Sequence, residues 1–169
     1  MKRPRTEKSK SKTAPDARLA TLDGSPIHLL HRAGQCAADV FQSKMGSNDL
    51  TPRQYAVLAT VAAHEGLSQT HLVEKTGIDR STLADIVRRM LKKGLLQRRR
   101  TREDARAYAV KLTEEGRRVM ESVGPVAMSV DQTVLAMLSE ADRPRFIENL
   151  QTIITGLSSE TKPTGEPSS

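Results

Sequence analysis

Apolar residues recur with helical spacing along most of the chain, and two of these patterns meet at a glycine turn. The first runs from Ser68 to Gly77 and the second from Asp79 to Gly94. Each opens on a residue that can cap a helix and closes on a glycine that can end one. The second pattern carries one apolar stripe, made of Leu83, Ile86, Val87, Met90 and Leu91. Two helices joined by a short glycine-containing turn predict a helix-turn-helix.

The opposite face of the second helix is polar at its start and basic toward its end. This face consists of Ser81, Thr82, Asp85, Arg88, Arg89 and Lys92. In a recognition helix, the early side chains reach base edges in a major groove and the later basic ones meet phosphates. An ordinary solvated helix face has a similar composition, so this face alone leaves both interpretations open.

A basic hairpin is predicted after this helix. Tyr108, Val110 and Leu112 alternate along a half-buried strand, residues 95–100 form its partner, and residues 101–105 form the turn. Arginines crowd the hairpin, at Arg98, Arg99, Arg100, Arg102 and Arg106. Such a density of positive charge repels itself unless a polyanion neutralises it, which predicts a wing with an arginine in the minor groove. Asp104 is close enough in sequence to hold Arg106 in a bidentate pair.

Together these segments resemble the MarR family of bacterial winged-helix regulators. The wing signature of that family, Asp-x-Arg followed by Leu-Thr, is present as Asp104, Arg106, Leu112 and Thr113. Further matches are Ser-Gln-x-x-Leu at 68–72, Gly-Ile-Asp-Arg-Ser-Thr at 77–82 and Lys-Lys-Gly-Leu-Leu at 92–96. With less specific motifs, the resemblance extends over residues 25–158. Many members have an arginine near position 85. The carboxylate of Asp85 can accept from cytosine N4, or it can tether Arg88 or Arg89.

Composition agrees with a nucleic-acid partner. The 169 residues carry a net charge of +7, with 2% aromatic residues and no Trp. Stacking on single-stranded bases is therefore not expected, and duplex DNA fits better. The single cysteine excludes an intrachain disulfide and is typical of a reducing cytoplasm, and we recognise neither a signal peptide nor a membrane span. Because no phosphate-binding loop, nucleophile elbow or paired-carboxylate cleft is evident, we expect neither an enzyme nor a cofactor.

Long helical patterns flank the helix-turn-helix. One starts near Ser25 with Pro26 at its first position. Another long helix, with its apolar residues at 119–138, is interrupted at Gly124–Pro125, where the proline should kink it. The last helix, starting at 139–142, has an apolar face made of Phe146, Ile147, Leu150, Ile153, Ile154 and Leu157. The resemblance implies that a homodimer buries this face. We therefore predict a disordered basic tail (1–23), a helical dimerisation region (24–50 and 113–158), a winged helix-turn-helix (51–112) and a disordered tail (159–169).

A polar ridge on the first helix is a candidate ligand site. His28, His31, Arg32 and Gln35 stand at helical spacing. Imidazole and guanidinium groups that face a crevice bind a carboxylate or phosphate, although plain surface polarity gives the same pattern. No metal is expected, because the two histidines lack further ligands for a tetrahedral zinc site. Nearby Cys36 is either a redox sensor or a small apolar residue.

The resemblance implies a cytoplasmic transcriptional regulator, by family habit a repressor, that binds an inverted-repeat operator in duplex DNA as a homodimer. We expect base-edge contacts from Ser81, Thr82, Asp85 and Arg89, phosphate contacts from Arg88, Lys92 and 98–102, and a minor-groove contact from Arg106 oriented by Asp104. A small anionic effector, an aromatic acid or its CoA thioester, is expected to release the DNA. The alternatives are redox sensing through Cys36 and an effector-blind DNA-binding protein.

Overall fold

Helices dominate the fold, and a small antiparallel sheet completes it, as predicted. The computed structural model describes residues 21–46, 49–64, 66–100 and 108–160. A short 3-10 helix at Leu22–Gly24 precedes the following elements: α1 (Pro26–Met45), α2 (Pro52–Ala63), β1 (Leu67–Ser68), α3 (Gln69–Thr76), α4 (Arg80–Lys92), β2 (Leu96–Arg100), β3 (Tyr108–Leu112), α5 (Glu114–Leu135) and α6 (Arg143–Glu160). The predicted tail at 1–20, the hairpin turn at 101–105 and residues 161–169 lie outside the described residues.

Backbone packing divides the chain into two units, residues 1–37 and 38–169. In the described part of the first unit, the 3-10 helix leads into the opening turns of α1. Helix α1 begins at Pro26, as predicted, because a proline at the first helical position loses no helical hydrogen bond and has a preset φ. The side chains of Ile27 and Leu30 in this unit are exposed, Ile27 by 80%.

The core of the second unit lies among α2, α3, α4, the sheet and α5. Its fully buried side chains are Val57, Leu58, Val61, Leu72, Leu83, Val87, Met90, Val110 and Val123. The end of α1 joins this cluster through Phe41 and Met45, and the ring centroid of Phe41 lies 5.7 Å from that of Tyr55. Helix α2 starts from a complete capping box, because Thr51 accepts from the backbone of Gln54 and the Gln54 side chain accepts from the backbone of Thr51. Leu72 of α3 and Leu83, Val87 and Met90 of α4 anchor the helix-turn-helix in this core.

The sheet has three strands in the order β1-β3-β2, with both pairs antiparallel. The hairpin register places Leu96 opposite Leu112 and Arg98 opposite Val110. On the other edge of β3, Leu67 pairs with Val110. The hairpin was predicted, but β1 was not, because two residues show no strand period.

Helix α5 begins where the wing ends, at a tightly packed junction. The hydroxyl of Thr113 accepts from the Gly116 backbone N–H at 2.9 Å and donates to the carbonyl of Gly94 at 2.6 Å. The backbone N–H of Thr113 also donates to the carbonyl of Leu95 at 3.1 Å. A Cβ atom at Gly116 would lie 2.1 Å from that same carbonyl oxygen. Thr113 of the Leu-Thr pair therefore joins the end of α4, the start of β2 and the start of α5.

Helix α5 runs from Glu114 to Leu135 with Pro125 inside it, so the interruption predicted at Gly124–Pro125 does not end the helix, and the kink predicted there stays a prediction. Proline removes one backbone donor, but the helix has many others. Val123 and Ala127, on either side of Pro125, are buried in the core. Burial of these side chains on one face holds the helix together across the missing hydrogen bond. Helix α5 ends at Leu135, three residues before the predicted end at Leu138.

Helix α6 carries the predicted apolar face, which the single chain leaves largely in solvent. It begins at Arg143 and continues through Glu160, two residues into the segment predicted as a tail. None of its residues is buried, and Ile147, Ile154 and Leu157 are 42%, 63% and 57% exposed. Within the described ranges, no helix combines the length and the apolar character needed to cross a membrane.

Candidate nucleic-acid interface

Helices α3 and α4 are bounded by the predicted residues. The hydroxyl of Ser68 accepts from the backbone of His71 at 3.3 Å, and a carboxylate oxygen of Asp79 accepts from the backbone of Thr82 at 2.9 Å. Gly77 ends α3 with φ of 66°. Gly94 follows α4 with φ of 72°, and the next backbone N–H returns to the carbonyl of Met90 at 2.9 Å. A positive φ is open to glycine without steric cost, so both glycines suit these helix ends.

One face of α4 is buried and the opposite face is free for a partner. Leu83, Ile86, Val87 and Met90 are buried, and Leu91 is partly buried, as the apolar stripe predicted. The polar face holds Ser81, Arg88, Arg89 and Lys92, all exposed, with the half-exposed Thr82 and Asp85. The structure therefore places all six predicted residues on the solvent side of one helix.

At the start of α4, the Asp79 carboxylate organises two of these residues. Ser81 donates its hydroxyl hydrogen to Asp79 Oδ1 at 2.7 Å, the oxygen that also accepts from the Thr82 backbone. Side-chain and backbone hydrogen bonds from Thr82, with a further one from Ser81, hold the pKa of Asp79 far below its usual range. Because the Ser81 hydrogen is committed to Asp79, this hydroxyl presents lone pairs, and therefore acceptors, to a partner.

In the middle of α4, one carboxylate holds two arginines. Asp85 Oδ1 accepts from Nη2 of Arg88, three residues later, and Oδ2 lies 2.7 Å from Nε of Arg89, four residues later. The hydrogen bond from Arg88, supported by the charge of Arg89, lowers the pKa of Asp85. From sequence, tethering and cytosine recognition were both open. The structure shows tethering, and it shows both arginines tethered by the same group.

The wing presents its arginines from β2. Arg98 and Arg99 are exposed on this strand, opposite Val110 and Ala109 of β3. Arg102, Asp104 and Arg106 lie outside the described residues, so the pair predicted between Asp104 and Arg106 stays a prediction. Val110 and Leu112 of β3 are buried, as their alternation predicted, but Ala109 on the opposite face is buried as well, so the strand is more than half-buried.

A contact that the sequence pattern did not indicate lies just after the end of α4. Lys93 Nζ lies 3.2 Å from both the backbone carbonyl and the Oδ2 atom of Asp49, in the segment that precedes α2. The Lys93 side chain is 42% exposed and the Asp49 side chain is 90% exposed. Two residues so far apart in sequence carry no shared periodic signal, so only the fold brings them together. This ion pair therefore joins the end of α4 to the segment that precedes α2.

The polar ridge predicted on α1 lies entirely within the first unit. His31, Arg32 and Gln35 are exposed and His28 is half-buried, on one face of the helix. Cys36 is a free and exposed thiol. Across the residues that the structure describes, no group of three or more His, Cys, Asp or Glu side chains is placed to hold a metal ion. The ridge can offer imidazole, guanidinium and amide groups to an anion.

Helix α3, helix α4 and the β2–β3 hairpin, packed as described, make this chain a winged helix-turn-helix protein. A family model described as MarR family matches residues 48–107. The transcriptional regulator HosA of Escherichia coli O157:H7 is 32% identical over 128 residues, which are 76% of this chain and 93% of that protein. This chain belongs to the MarR family.

Solved structures agree with this assignment. The PcaV transcriptional regulator from Streptomyces coelicolor, in complex with its natural ligand, is 34% identical, with a TM-score of 0.73 over 81% of this chain and 94% of that one. BpsR of Bordetella bronchiseptica is 29% identical, with a TM-score of 0.69 over 75% of this chain and 96% of that one. The structure of BpsR concerns regulation of its DNA binding by 6-hydroxynicotinic acid.

Proposed function

We propose that this protein is a homodimeric transcriptional regulator, acting in the cytoplasm as a repressor, whose DNA binding a small anionic effector releases. One observation carries the DNA-binding part. The polar and basic face of α4 is exposed along its length, while capping residues and the core hold the helix rigidly beside an arginine-bearing wing. Membership of the MarR family supports the same interpretation, because the relatives HosA and PcaV are named transcriptional regulators.

Contacts to DNA are proposed residue by residue. Ser81 and Thr82 approach base edges from the start of α4, and Ser81 accepts a hydrogen bond from cytosine N4 or adenine N6 because its own hydrogen goes to Asp79. Asp85 and Arg89 lie next along the same face. Phosphates are met by Arg88, Lys92 and residues 98–102, and Arg106, oriented by Asp104, enters the minor groove.

Dimerisation is proposed from the apolar side chains that the single chain exposes. Ile147, Ile154 and Leu157 on α6 leave an apolar face in solvent, and Ile27 in the first unit is exposed as well. Residues of this kind on a chain of this size are expected to be covered by a second copy. Two-fold symmetry would then place two copies of α4 in successive major grooves, about 10 bp apart, on an inverted-repeat operator.

The effector is proposed to be an aromatic acid or its CoA thioester. The ridge of His28, His31, Arg32 and Gln35 supplies the groups that bind a carboxylate or phosphate. A relative whose DNA binding is regulated by 6-hydroxynicotinic acid supports this class of ligand. To turn a DNA-competent population of 99:1 into 1:99, the effector needs about 5.5 kcal/mol of differential affinity for the released state.

A salt titration on duplex DNA tests the proposed interface. Lys92→Ala should weaken binding to all sequences alike and lower the slope of log affinity against log salt by about one for each phosphate that is no longer neutralised. Arg106→Ala should lose affinity with unchanged helix content. Arg145→Ala, which removes an exposed charge from α6, is the matched control and should bind like wild type. Wild-type slopes for both Lys92→Ala and Arg106→Ala would refute this interface.

A thermal-shift screen tests the effector. Aromatic acids and their CoA thioesters form two arms, and peroxide forms a third. A ligand at 100 times its dissociation constant should add about 2.7 kcal/mol per site and raise Tm by several degrees. Arg32→Ala should abolish the shift and keep operator binding. A response to peroxide alone, lost in Cys36→Ser, would support redox sensing through the exposed thiol in place of an effector. No thermal shift in any of the three arms would favour an effector-blind DNA-binding protein.

A further inference from the structure

Two of the three basic side chains on the predicted DNA-facing side of α4 share one anionic partner. Asp85 accepts a hydrogen bond from Arg88 through Oδ1 and forms an ion pair with Nε of Arg89 through Oδ2, while the third, Lys92, lies one turn beyond. The arginine side chains remain 76% and 63% exposed, and the aspartate side chain is 36% exposed. The carboxylate and both guanidinium groups are therefore open to the solvent that DNA would occupy.

This arrangement restricts what each arginine can do. Arg89 uses Nε for Asp85, so its terminal Nη groups stay available as donors, in a direction that the ion pair sets. Arg88 uses Nη2, so one end of its guanidinium is occupied. An unrestrained arginine swings onto whichever phosphate is nearest, whereas a restrained one must leave its partner to do so. A fixed guanidinium suits the bidentate contact to guanine O6 and N7.

We propose that Asp85 is a specificity-determining positioning residue, which limits Arg88 to a phosphate that its tethered guanidinium can reach, and which holds Arg89 away from the phosphates and directs it to a base edge. The assignment rests on the proposed DNA-binding function and deepens it. Nonspecific affinity comes almost wholly from phosphate neutralisation, so a carboxylate beside two arginines lowers that affinity more than it lowers affinity for the right sequence.

Local electrostatics agree with this role. The hydrogen bond from Arg88 and the charge of Arg89 lower the pKa of Asp85, so the group stays ionised at neutral pH. The other carboxylate near the start of α4, Asp79, is already engaged by Thr82 and Ser81. Asp85 is thus the carboxylate that the two arginines share, and removing its charge should release both of them.

Asp85→Asn, which keeps the shape and removes the charge, is the decisive variant. Its binding is measured on a mixed-sequence duplex and on the sequence that the wild-type protein selects from a random pool. On the mixed duplex we expect about tenfold tighter binding at low salt. The salt slope should be steeper by about two per dimer, because each protomer then neutralises about one more phosphate, and each phosphate adds about 0.9. The ratio of selected to mixed affinity should fall by about tenfold.

Two controls separate positioning from a simple change of charge. Glu74→Gln removes one negative charge from the exposed surface of α3 and should leave the ratio of affinities unchanged. Asp85→Asn made in an Arg88→Ala, Arg89→Ala background should give no further gain on the mixed duplex, since the residue acts through those arginines. Asp85→Glu, which keeps the charge, should retain most of the wild-type ratio.

Several outcomes overturn the assignment. Unchanged affinity and slope in Asp85→Asn would show that the ion pairs have no effect on recognition. A changed base at one position of the selected sequence, at an unchanged slope, would make Asp85 a direct reader of cytosine instead. An equal gain from Glu74→Gln would reduce the effect to net charge. Failure of the wild-type protein to bind either duplex would refute the proposed function itself, and that result is obtained before any variant is compared.

Discussion

Gly116→Ala should destabilise the protein, although alanine is the better helix former. The added Cβ would lie 2.1 Å from the backbone oxygen of Leu95 and 3.1 Å from a methyl carbon of Leu112. A backbone carbonyl cannot rotate away as a flexible side chain can, so either α5 or the start of β2 must move. That movement would break the hydrogen bonds of Thr113, which ties α5 to the carbonyls of Gly94 and Leu95.

Two opposing effects set the magnitude. Overpacking costs typically about 1–3 kcal/mol, and a clash with backbone belongs at the upper end. Alanine in place of glycine inside a helix returns about 1 kcal/mol. The net loss should be about 2 kcal/mol, which corresponds to a fall in Tm of about 4–8 °C for a chain of this size. Gly156→Ala in α6, where no atom lies within 4 Å of the added Cβ, should instead be neutral or slightly stabilising.

Thermal and urea unfolding at one fixed protein concentration would measure both variants, since the proposed dimerisation would make Tm depend on concentration. A Gly116→Ala protein that melts at or above the wild-type temperature would refute the reasoning. It would mean that α5 and the start of β2 can move apart without loss of stability. A large loss in Gly156→Ala would equally show that alanine harms these helices for reasons unrelated to the contact with Leu95.

Two further predictions concern stability. The pKa of Asp79 is lowered in the folded state, so its contribution to stability is present above its ordinary pKa of 3.8 and is lost as pH falls through the folded pKa. The difference in urea midpoint between wild type and Asp79→Asn should therefore be constant above about pH 5 and shrink below about pH 4, and an equal difference at both ends would contradict it. Lys44→Met, which removes hydrogen bonds from Nζ to Ser129 and to Thr133 at 2.8 Å, should cost about 1 kcal/mol by urea unfolding. Lys75→Met, at an exposed position of α3, should change the free energy of unfolding by less than about 0.5 kcal/mol. Equal losses in the two variants would show that the hydrogen bonds of Lys44 do not contribute to stability.

Local chemistry made much of the fold predictable from the sequence. Ser68 and Asp79 cap the helices that they were predicted to cap, because an N-cap needs only a side-chain oxygen and the next few backbone N–H groups. Gly77 and Gly94 have the positive φ that their positions suggested. The stripe on α4 is buried because a 3.6-residue period determines which face meets the core.

Two kinds of feature could not be predicted from the sequence. One is contact between residues far apart in the chain, and the other is the choice between two partners at similar helical spacing. The pairing of Leu67 with Val110 joins residues far apart in the chain, and a two-residue strand has no pattern to reveal it. Asp85 stands within reach of residues three and four positions later, so spacing alone could not choose between Arg88 and Arg89. Pro125 was predicted to interrupt α5, but a rule about one missing donor cannot weigh the burial of the flanking residues.

The short strand β1 has a mechanical consequence. It ends on Ser68, the residue that caps α3, and it pairs with β3, which pairs on its other edge with β2 of the wing. The helix-turn-helix and the wing are therefore joined through one sheet, and the distance between them cannot increase without breaking the pairing of its strands. In the proposed dimer, each protomer's winged helix-turn-helix cannot stretch to follow the DNA. An extra base pair between two operator half-sites can therefore be accommodated only if the distance between the two winged helix-turn-helix units changes.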